Sequence, residues 1–381
     1  MVPIAPGIPE HIVRENVRRL QDLMRAEDYA AVLVFHPSNM LAFTGTPHAS
    51  WDRLTCGAVT REGLVIVVCP AFERPGVSGA EKIATIRTWR EEEDAYHVFA
   101  AALRDAGVKS GTLGVDGRIW LESWYAFRAA CEPLRLQNAE PLLREVRICK
   151  STAAQEILRR ASRQGERVFL VLRDMIRAGV SEIELHRELR ARFAADELMV
   201  DPMIQSGPNG AVPHNPTGTR VLQAGDNVVV DSVITVDGFN NDLTRTYAVG
   251  QPSPRARAAY QAVREAHDAA IAAARAGVEC RQLDRVAREI ITKAGFGEFF
   301  THRLGHGMGI ECHEPPYLHG ANPEKLRAGM CVTIEPGVYV PGEFGVRIED
   351  DVLISDGGCE VVSRDLPTDM TDAFDRHPGL S

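Results

Sequence analysis

Residues 227–246 read NVVVDSVITVDGFNNDLTRT, and the fold of the second half of the chain turns on them. Asn227 to Ser232 is a β-branched run that suits a strand and carries a carboxylate, Asp231, near its end. Asp242, 11 residues on, opens a second strand-like run, Asp242-Leu243-Thr244-Arg245-Thr246. Val236-Asp237-Gly238 lies between the two and supplies a hairpin turn. A hairpin sets Asp231 and Asp242 on adjacent strands, able to face one another across the ladder. Two buried carboxylates in that relation repel, and one is forced neutral unless a divalent cation sits between them. Taken alone, the pair is read more simply as surface acids.

Three further residues change that reading. GHGMGIECHEPP, residues 305–316, carries His306 between glycines that let backbone approach a bound ion or substrate, and His313 seven positions later. Val332-Thr333-Ile334-Glu335 sets an acid at the end of an apolar strand, where burial without a partner is costly. In Val346-Arg347-Ile348-Glu349-Asp350, Val346 and Ile348 face one way, Arg347 and Glu349 the other. Each of these alone is most simply a hydrogen-bonded His or a salt-bridged Glu. Together Asp231, Asp242, His306, Glu335 and Glu349, spaced 11, 64, 29 and 14 apart, form one donor set for two metals. Four carboxylates and one imidazole suit Mn²⁺, Co²⁺, Fe²⁺ or Zn²⁺ rather than a thiolate site. Two divalent ions nearly neutralise the four carboxylates. Bridging carboxylates can hold such ions ~3.5–4 Å apart, with a shared water that is hydroxide near neutral pH. The reaction class is metal-assisted hydrolysis of an amide or ester.

Upstream, Val13, Val17, Leu20 and Met24 mark a helical stripe, and Ala30–Phe35, Leu64–Cys69 and Leu113–Asp116 read as strands. His36-Pro37-Ser38-Asn39 reads as a turn, and segments 95–106 and 121–132 as helices. Alternating strands and helices imply an α/β layer. His36, His48 and Trp51 read as loop residues, or as a lip over an active site. A boundary falls close to Lys150. A long helix follows, with Ile157, Phe169, Leu172 and Met175 on its apolar side and Gly179 at its end. Ser181-Glu182-Ile183-Glu184 is a capping box for the next helix, and Ser253-Pro254 opens another that Gly277 closes. A further helix is expected from about Arg281 to Lys293.

Composition excludes several classes. A net charge of -9 argues against nucleic acid or anionic membrane as partners, and no apolar run is long enough to span a bilayer. The start, MVPIAPGIPEHIV, shows no secretion signal, and the eight Cys include no C-x-x-C pair. Thiols in a cytoplasmic protein are therefore expected. The tail from about Thr371 reads as loose.

These residues resemble the pita-bread metallopeptidases, the family of prolidase, aminopeptidase P and methionine aminopeptidase. The matching stretches are Asp231-x10-Asp242 with LTRT, PHNPTG with His214, GHGMGIECHE, TIEPGVY and VRIED. The early RL-x-x-LM and PSNM-x-x-FTG are similar to the N-terminal domain of creatinases and prolidases. The resemblance implies an α/β (α+β) protein, with a creatinase-like N-terminal domain over 1–150 and a pita-bread catalytic domain over 151–381. It implies that Asp231 binds one metal, that Asp242 and Glu349 bridge both, and that His306 and Glu335 complete the second. Glu335 is then the general base, His214 lies by the substrate amide, and His313 donates to the tetrahedral intermediate. Arg347 pairs with a ligand carboxylate. Two ions, manganese foremost, and a homodimer are also implied.

There are two departures. The family's Asp-x-Gly is here Asp231-Ser232-Val233. Where some dipeptidases hold the substrate carboxylate with Arg, this chain has Tyr317, which leaves Arg220, Arg303 or a partner subunit for that work. The expected activity is cleavage of Xaa-Pro dipeptides. The rivals are an Xaa-Pro aminopeptidase on longer peptides, an ectoine-type ring-amide hydrolase, and a non-catalytic interaction protein. Creatinases lack metal ligands, so the intact five argue against that relative.

Overall fold

A computed structural model of the protein describes residues 7–48, 52–194, 196 and 198–368. Trp51 and the stretch from Thr371, both named above, lie outside the described residues. The chain divides into two compact units, Met1–Arg147 and Ile148–Ser381.

In the first unit α1 (Glu10–Ala26) buries Val13, Val17, Leu20 and Met24, the expected stripe. There follow β1 (Tyr29–Val34), α2 (Pro37–Thr44), β2 (Cys56–Thr60), β3 (Val65–Pro70) and β4 (Thr85–Trp89). Then come α3 (Ala95–Asp105), β5 (Thr112–Val115), α4 (Leu121–Ala130), β6 (Arg135–Asn138) and α5 (Glu140–Ile148). The six strands form one mixed sheet in the order β4-β3-β2-β1-β5-β6. Residues His36–Asn39 are not a turn. Pro37 occupies the first helical position of α2, where its fixed φ is already helical and its missing N–H is not needed. The sequence reading missed β2, β4 and β6; β4 and β6 are the sheet's two edges, short and partly exposed rather than apolar, whereas β2 is central and buried throughout. His36 contacts Ser38 and His48 contacts Glu73, all within this unit.

The second unit opens with α6 (Thr152–Met175) and α7 (Glu182–Ala194). The expected capping box is present, with Ser181 and Glu184 bonding reciprocally. Next are β7 (Met203–Ser206), β8 (Asn227–Val236), β9 (Phe239–Ala248), α8 (Pro254–Ala273) and α9 (Cys280–Lys293). Neither α6 nor α8 runs to its expected glycine. Each ends on an extended residue, Ile176 or Ala274, and Gly179 and Gly277 serve the following loops at φ 88 and 87. The chain closes with β10 (Gly305–Gly307), β11 (Glu314–Leu318), β12 (Cys331–Ile334), β13 (Gly337–Val340), β14 (Phe344–Arg347), β15 (Asp350–Ile354) and β16 (Cys359–Val361).

Among the described residues, two apolar clusters pack this unit's helices on its strands. One joins α6 and α7 to β8 and β9 through Phe169, Leu172, Leu185, Leu189 and Leu243. The other joins α8 and α9 to β12, β14 and β15 through Tyr260, Val263, Leu283, Ile291, Val332 and Val346. The β7-β8-β9 sheet and the β11-β10-β12-β15-β16 sheet meet beside a β-bridge, Thr244 to Glu349, where Asn241, Asp242 and Arg245 of β9 also reach Asp351 and Asp350 of β15. None of the eight cysteines is in a disulfide. Among the described residues no helix is long and apolar enough to cross a membrane.

Candidate metal centre

The hairpin turns on Asp237 and Gly238, both with positive φ (47° and 77°), as a two-residue loop demands. With Val236 opposite Phe239, the register pairs Asp231 with Thr244 and Asp242 with Val233. The two acids therefore share a face, diagonal to one another rather than directly opposite. Asp242 is the fourth residue of β9, not its first. Two backbone and side-chain bonds bring Glu349 to them: its N–H donates to the Thr244 carbonyl at 3.1 Å, and the Thr244 hydroxyl donates to its Oε2 at 2.6 Å.

His306 and Glu335 approach from β10 and the end of β12. The Glu335 N–H donates to the Leu304 carbonyl and the His306 N–H to the Thr333 hydroxyl, which locks these two segments together. The glycines beside His306 serve that packing. A Cβ on Gly305 would lie 2.1 Å from the Thr333 carbonyl oxygen, and one on Gly307 would lie 2.3 Å from that of Pro315. The close approach is to neighbouring backbone, which corrects the expectation that it is to an ion or substrate. His306 Nδ1 is 3.0 Å from the Gly307 carbonyl, which can only accept. Nδ1 therefore holds the proton, and Nε2 presents its lone pair 3.3 Å from Glu335 Oε1 and 3.8 Å from Asp242 Oδ2.

The five residues meet in overlapping triads. Donor atoms of Asp231, Asp242 and Glu349 lie within 4.8 Å of one another, and so do those of His306, Glu335 and Glu349. Asp242, His306 and His313 form a third such group. His313 thus stands closer to the donor set than the sequence suggested, its ring centroid 3.9 Å from that of His306. Arg347 donates to Asp231 Oδ2 at 2.7 Å, to Thr244 Oγ1 and to the Tyr339 hydroxyl. His214 is exposed on the loop before β8 and belongs to none of the triads. Tyr317 sits opposite His306 in the β10–β11 ladder. Arg220 is bound to Asp226 by both guanidinium nitrogens.

Electrostatics shows what this arrangement needs. Burial, and then the Asp231 charge, push Asp242 well above the usual carboxylate range. Burial and the Asp242 charge do the same to Glu349, and burial with the Glu349 charge to Glu335. Burial and His313 bring His306 down to about 3, so it is a neutral nitrogen donor at physiological pH. Buried carboxylates that raise one another, facing a neutral imidazole lone pair, fit divalent cations. Asp231, Asp242, His306, Glu335 and Glu349 could hold them.

A family model for metallopeptidase family M24 matches residues 156–356, and one for the creatinase/prolidase N-terminal domain matches residues 16–149. The chain belongs to metallopeptidase family M24. It is a metallopeptidase with a creatinase-type N-terminal domain and the pita-bread catalytic fold. An uncharacterized peptidase of Staphylococcus haemolyticus is 30% identical over 351 residues, which is 91% of this chain and 98% of the relative. Among solved structures, a Thermococcus sibiricus prolidase is similar at TM-score 0.84 and 29% identity, covering 92% of this chain and 96% of its own. An X-Pro aminopeptidase of Thermotoga maritima is similar at TM-score 0.80 and 28% identity, covering 92% and 99%.

This M24 site also contains residues that sequence reading missed. The Cys312 thiol donates to Asp242 Oδ2 at 3.0 Å, and burial followed by the Asp242 charge raises its pKa. Cys312 lies inside the Gly-rich run, so its position was a usable signal. Thr244 meets Glu349 only where β9 crosses the segment after β14, and Tyr339 on β13 takes its partners from Arg347 on β14 and from His302 before β10. His302 is a third such case. Its Nδ1 is 2.7 Å from the Arg303 carbonyl and its Nε2 2.9 Å from the Tyr339 hydroxyl. Burial and then Arg347 bring it down to about 3.

Proposed function

We propose that this metallopeptidase cleaves the Xaa-Pro bond of dipeptides, holding two divalent ions between the two triads that share Glu349. That overlap is the observation that carries the reading: one carboxylate common to an all-acid triad and a His-Glu-Glu triad. Asp231, with Asp242 and Glu349 in common, would hold one ion, and His306 with Glu335 would complete the other. Four carboxylates with one imidazole favour manganese, with cobalt, zinc or iron compatible. When bound, such ions polarise a carbonyl and acidify water.

The chain's own groups then divide the work. Glu335 takes the proton of the attacking water. Arg347 holds Asp231 in place through its 2.7 Å bond. His313, exposed beside His306, offers an N–H to the developing oxyanion, and His214 attends the substrate amide. Tyr317 lines the substrate side of β11. Proline suits such a site because its amide has no N–H for a conventional peptidase to use. We assign 1–150 as the N-terminal domain and 151–381 as the catalytic domain, a reading supported by the division at Arg147 and Ile148. A homodimer, which the resemblance supports, and a reducing cytoplasmic location, which eight cysteines outside disulfides fit, complete the proposal.

One observation favours a second reading. Tyr317 gives no charge for a free carboxylate, as an Xaa-Pro aminopeptidase on longer peptides would require. The test is hydrolysis of an Xaa-Pro dipeptide, its C-terminal amide and an Xaa-Pro-Xaa tripeptide after Mn²⁺ is stripped and restored. Metal-dependent cleavage of the free dipeptide alone supports the dipeptidase. Equal or faster cleavage of the amide and tripeptide makes it an aminopeptidase. Cleavage of none by metal-loaded protein sinks the proline assignment and turns attention to ring amides.

A further inference from the structure

A dipeptidase must recognise a carboxylate one residue past the scissile bond, and residue 317 cannot supply the cation. We infer that Arg303, laid across the ring of Tyr317, binds the substrate's free C-terminal carboxylate and makes the site selective for dipeptides. The inference rests on the peptidase reading above and names the substrate end that it recognises.

The first argument is availability. Arg220 is locked on Asp226, Arg347 on Asp231, Arg288 on Asp284, and Lys150 on Glu314 at 2.7 Å. The half-buried Arg303 guanidinium makes no hydrogen bond or ion pair among the described residues. Its partner is a ring face, with Cζ 4.4 Å from the Tyr317 centroid. Stacking takes up the flat face and leaves the in-plane N–H fork open, the geometry that meets a carboxylate with two parallel bonds.

The second argument is place. Tyr317 is the direct cross-strand partner of His306, so its ring stands on the same face of the β10–β11 ladder as that imidazole.

The third argument is rigidity. The Arg303 carbonyl accepts from His302 Nδ1 at 2.7 Å, so His302 Nε2 is the acceptor of the Tyr339 hydroxyl at 2.9 Å. The Tyr339 oxygen accepts from Arg347 at 2.9 Å, and Arg347 donates to Asp231. On the other side Arg288 donates to the His302 carbonyl, and the Leu304 N–H donates to Asp284. One hydrogen-bonded chain thus ties the Arg303 backbone to a donor of the metal centre. It fixes the distance between cation and reacting bond, as length selection requires. The cation that Tyr317 cannot provide is supplied from residue 303, and Tyr317 is its platform.

The test compares wild type with Arg303→Met, Arg303→Lys and Tyr317→Phe, each loaded with Mn²⁺ and checked for equal metal content. Two readouts are taken: calorimetric binding of L-proline against L-prolinamide, and kcat/KM for an Xaa-Pro dipeptide against its amide. Wild type should favour the carboxylate ligand by ~10–100-fold, the range for hydrogen bonds to a charged group. Arg303→Met should bring both ratios to about 1, the loss appearing in KM. Arg303→Lys should keep part of the preference, and Tyr317→Phe, which keeps the ring, most of it. If Arg303→Met retains the wild-type ratios while Xaa-Pro dipeptides are still cut, the role of Arg303 is wrong and the peptidase reading stands. If wild type cuts no Xaa-Pro substrate but Arg303→Met still abolishes the preference for proline over prolinamide, the carboxylate site stands and the proline peptidase reading falls.

Discussion

Glu349 and Asp350 are neighbours in sequence, each only 2% exposed, and electrostatically opposite. Successive residues of an extended segment point to opposite sides. Glu349 enters the acidic triads, where burial and Asp242 drive its pKa up. Asp350 faces Arg245, with which it pairs at 2.7 Å, His267 Nε2 at 3.1 Å, and the donating hydroxyl of Ser363. Burial pushes Asp350 up too, but Arg245 and His267 outweigh it and hold it below the usual range. One acid is compensated from within the chain. The other is left needing positive charge from outside. A folded protein carries the second kind of burial where a ligand completes it.

The largest test of that contrast is removal of either shared carboxylate. Asp242→Ala or Glu349→Ala should lose both ions by metal analysis, and peptidase activity with them. The effect should exceed the ~10–100-fold in affinity that changes beyond the ligands produce. Retention of two ions in either variant would break the bridging assignment. Next in size is Arg245→Met, which strands a buried carboxylate and should destabilise the fold by about 3–5 kcal/mol in urea titration. Glu349→Gln should do the reverse in metal-free protein, leaving stability unchanged or higher. A loss there like that of Arg245→Met would show that the acidic cluster is also compensated internally.

The smallest effect is in pH dependence. Asp242 and Glu349 have folded pKa values above their unfolded ones near 4. Their contribution to stability is full below about pH 4 and is lost as pH rises through the folded values. Metal-free protein should therefore weaken with rising pH by at most about 1.4 kcal/mol per unit for each group. Saturating Mn²⁺ binds the ionised forms and should flatten or invert that slope. Asp350 runs the other way, its contribution fading only as pH falls below about 4 toward its lowered value. A metal-free melting curve flat from pH 5 to 8 would remove the electrostatic argument for the ions.

Much of this was legible in the chain. The capping box at Ser181 and Glu184, the stripe of α1 and the Asp237-Gly238 hairpin are local, set by residues within a few positions of each other. Even the diagonal offset of Asp231 and Asp242 was available, because a two-residue turn at 237–238 fixes the register by counting back. The helix ends differ from the expected glycines because an extended residue earlier in the chain, Ile176 or Ala274, ends each one. The edge strands β4 and β6 were missed because an edge need not be apolar.

By itself, then, the sequence determined which donor atoms exist, which elements carry them, and the family to which the pattern points. The tertiary structure alone decided which acids are left uncompensated and which are paired. Arg245 and Arg347 are two similar cations on crossing strands. One is spent on Asp350, where it cancels a buried charge, and the other on Asp231, at the rim of a cluster that it cannot neutralise. Nothing in the spacing distinguishes them. The assignment depends on the crossing marked by the bridge between Thr244 and Glu349, which brings together residues 105 apart in the chain. Charge balance in a buried site is a property of contacts over such separations, and contacts of that range exist only once the chain has folded.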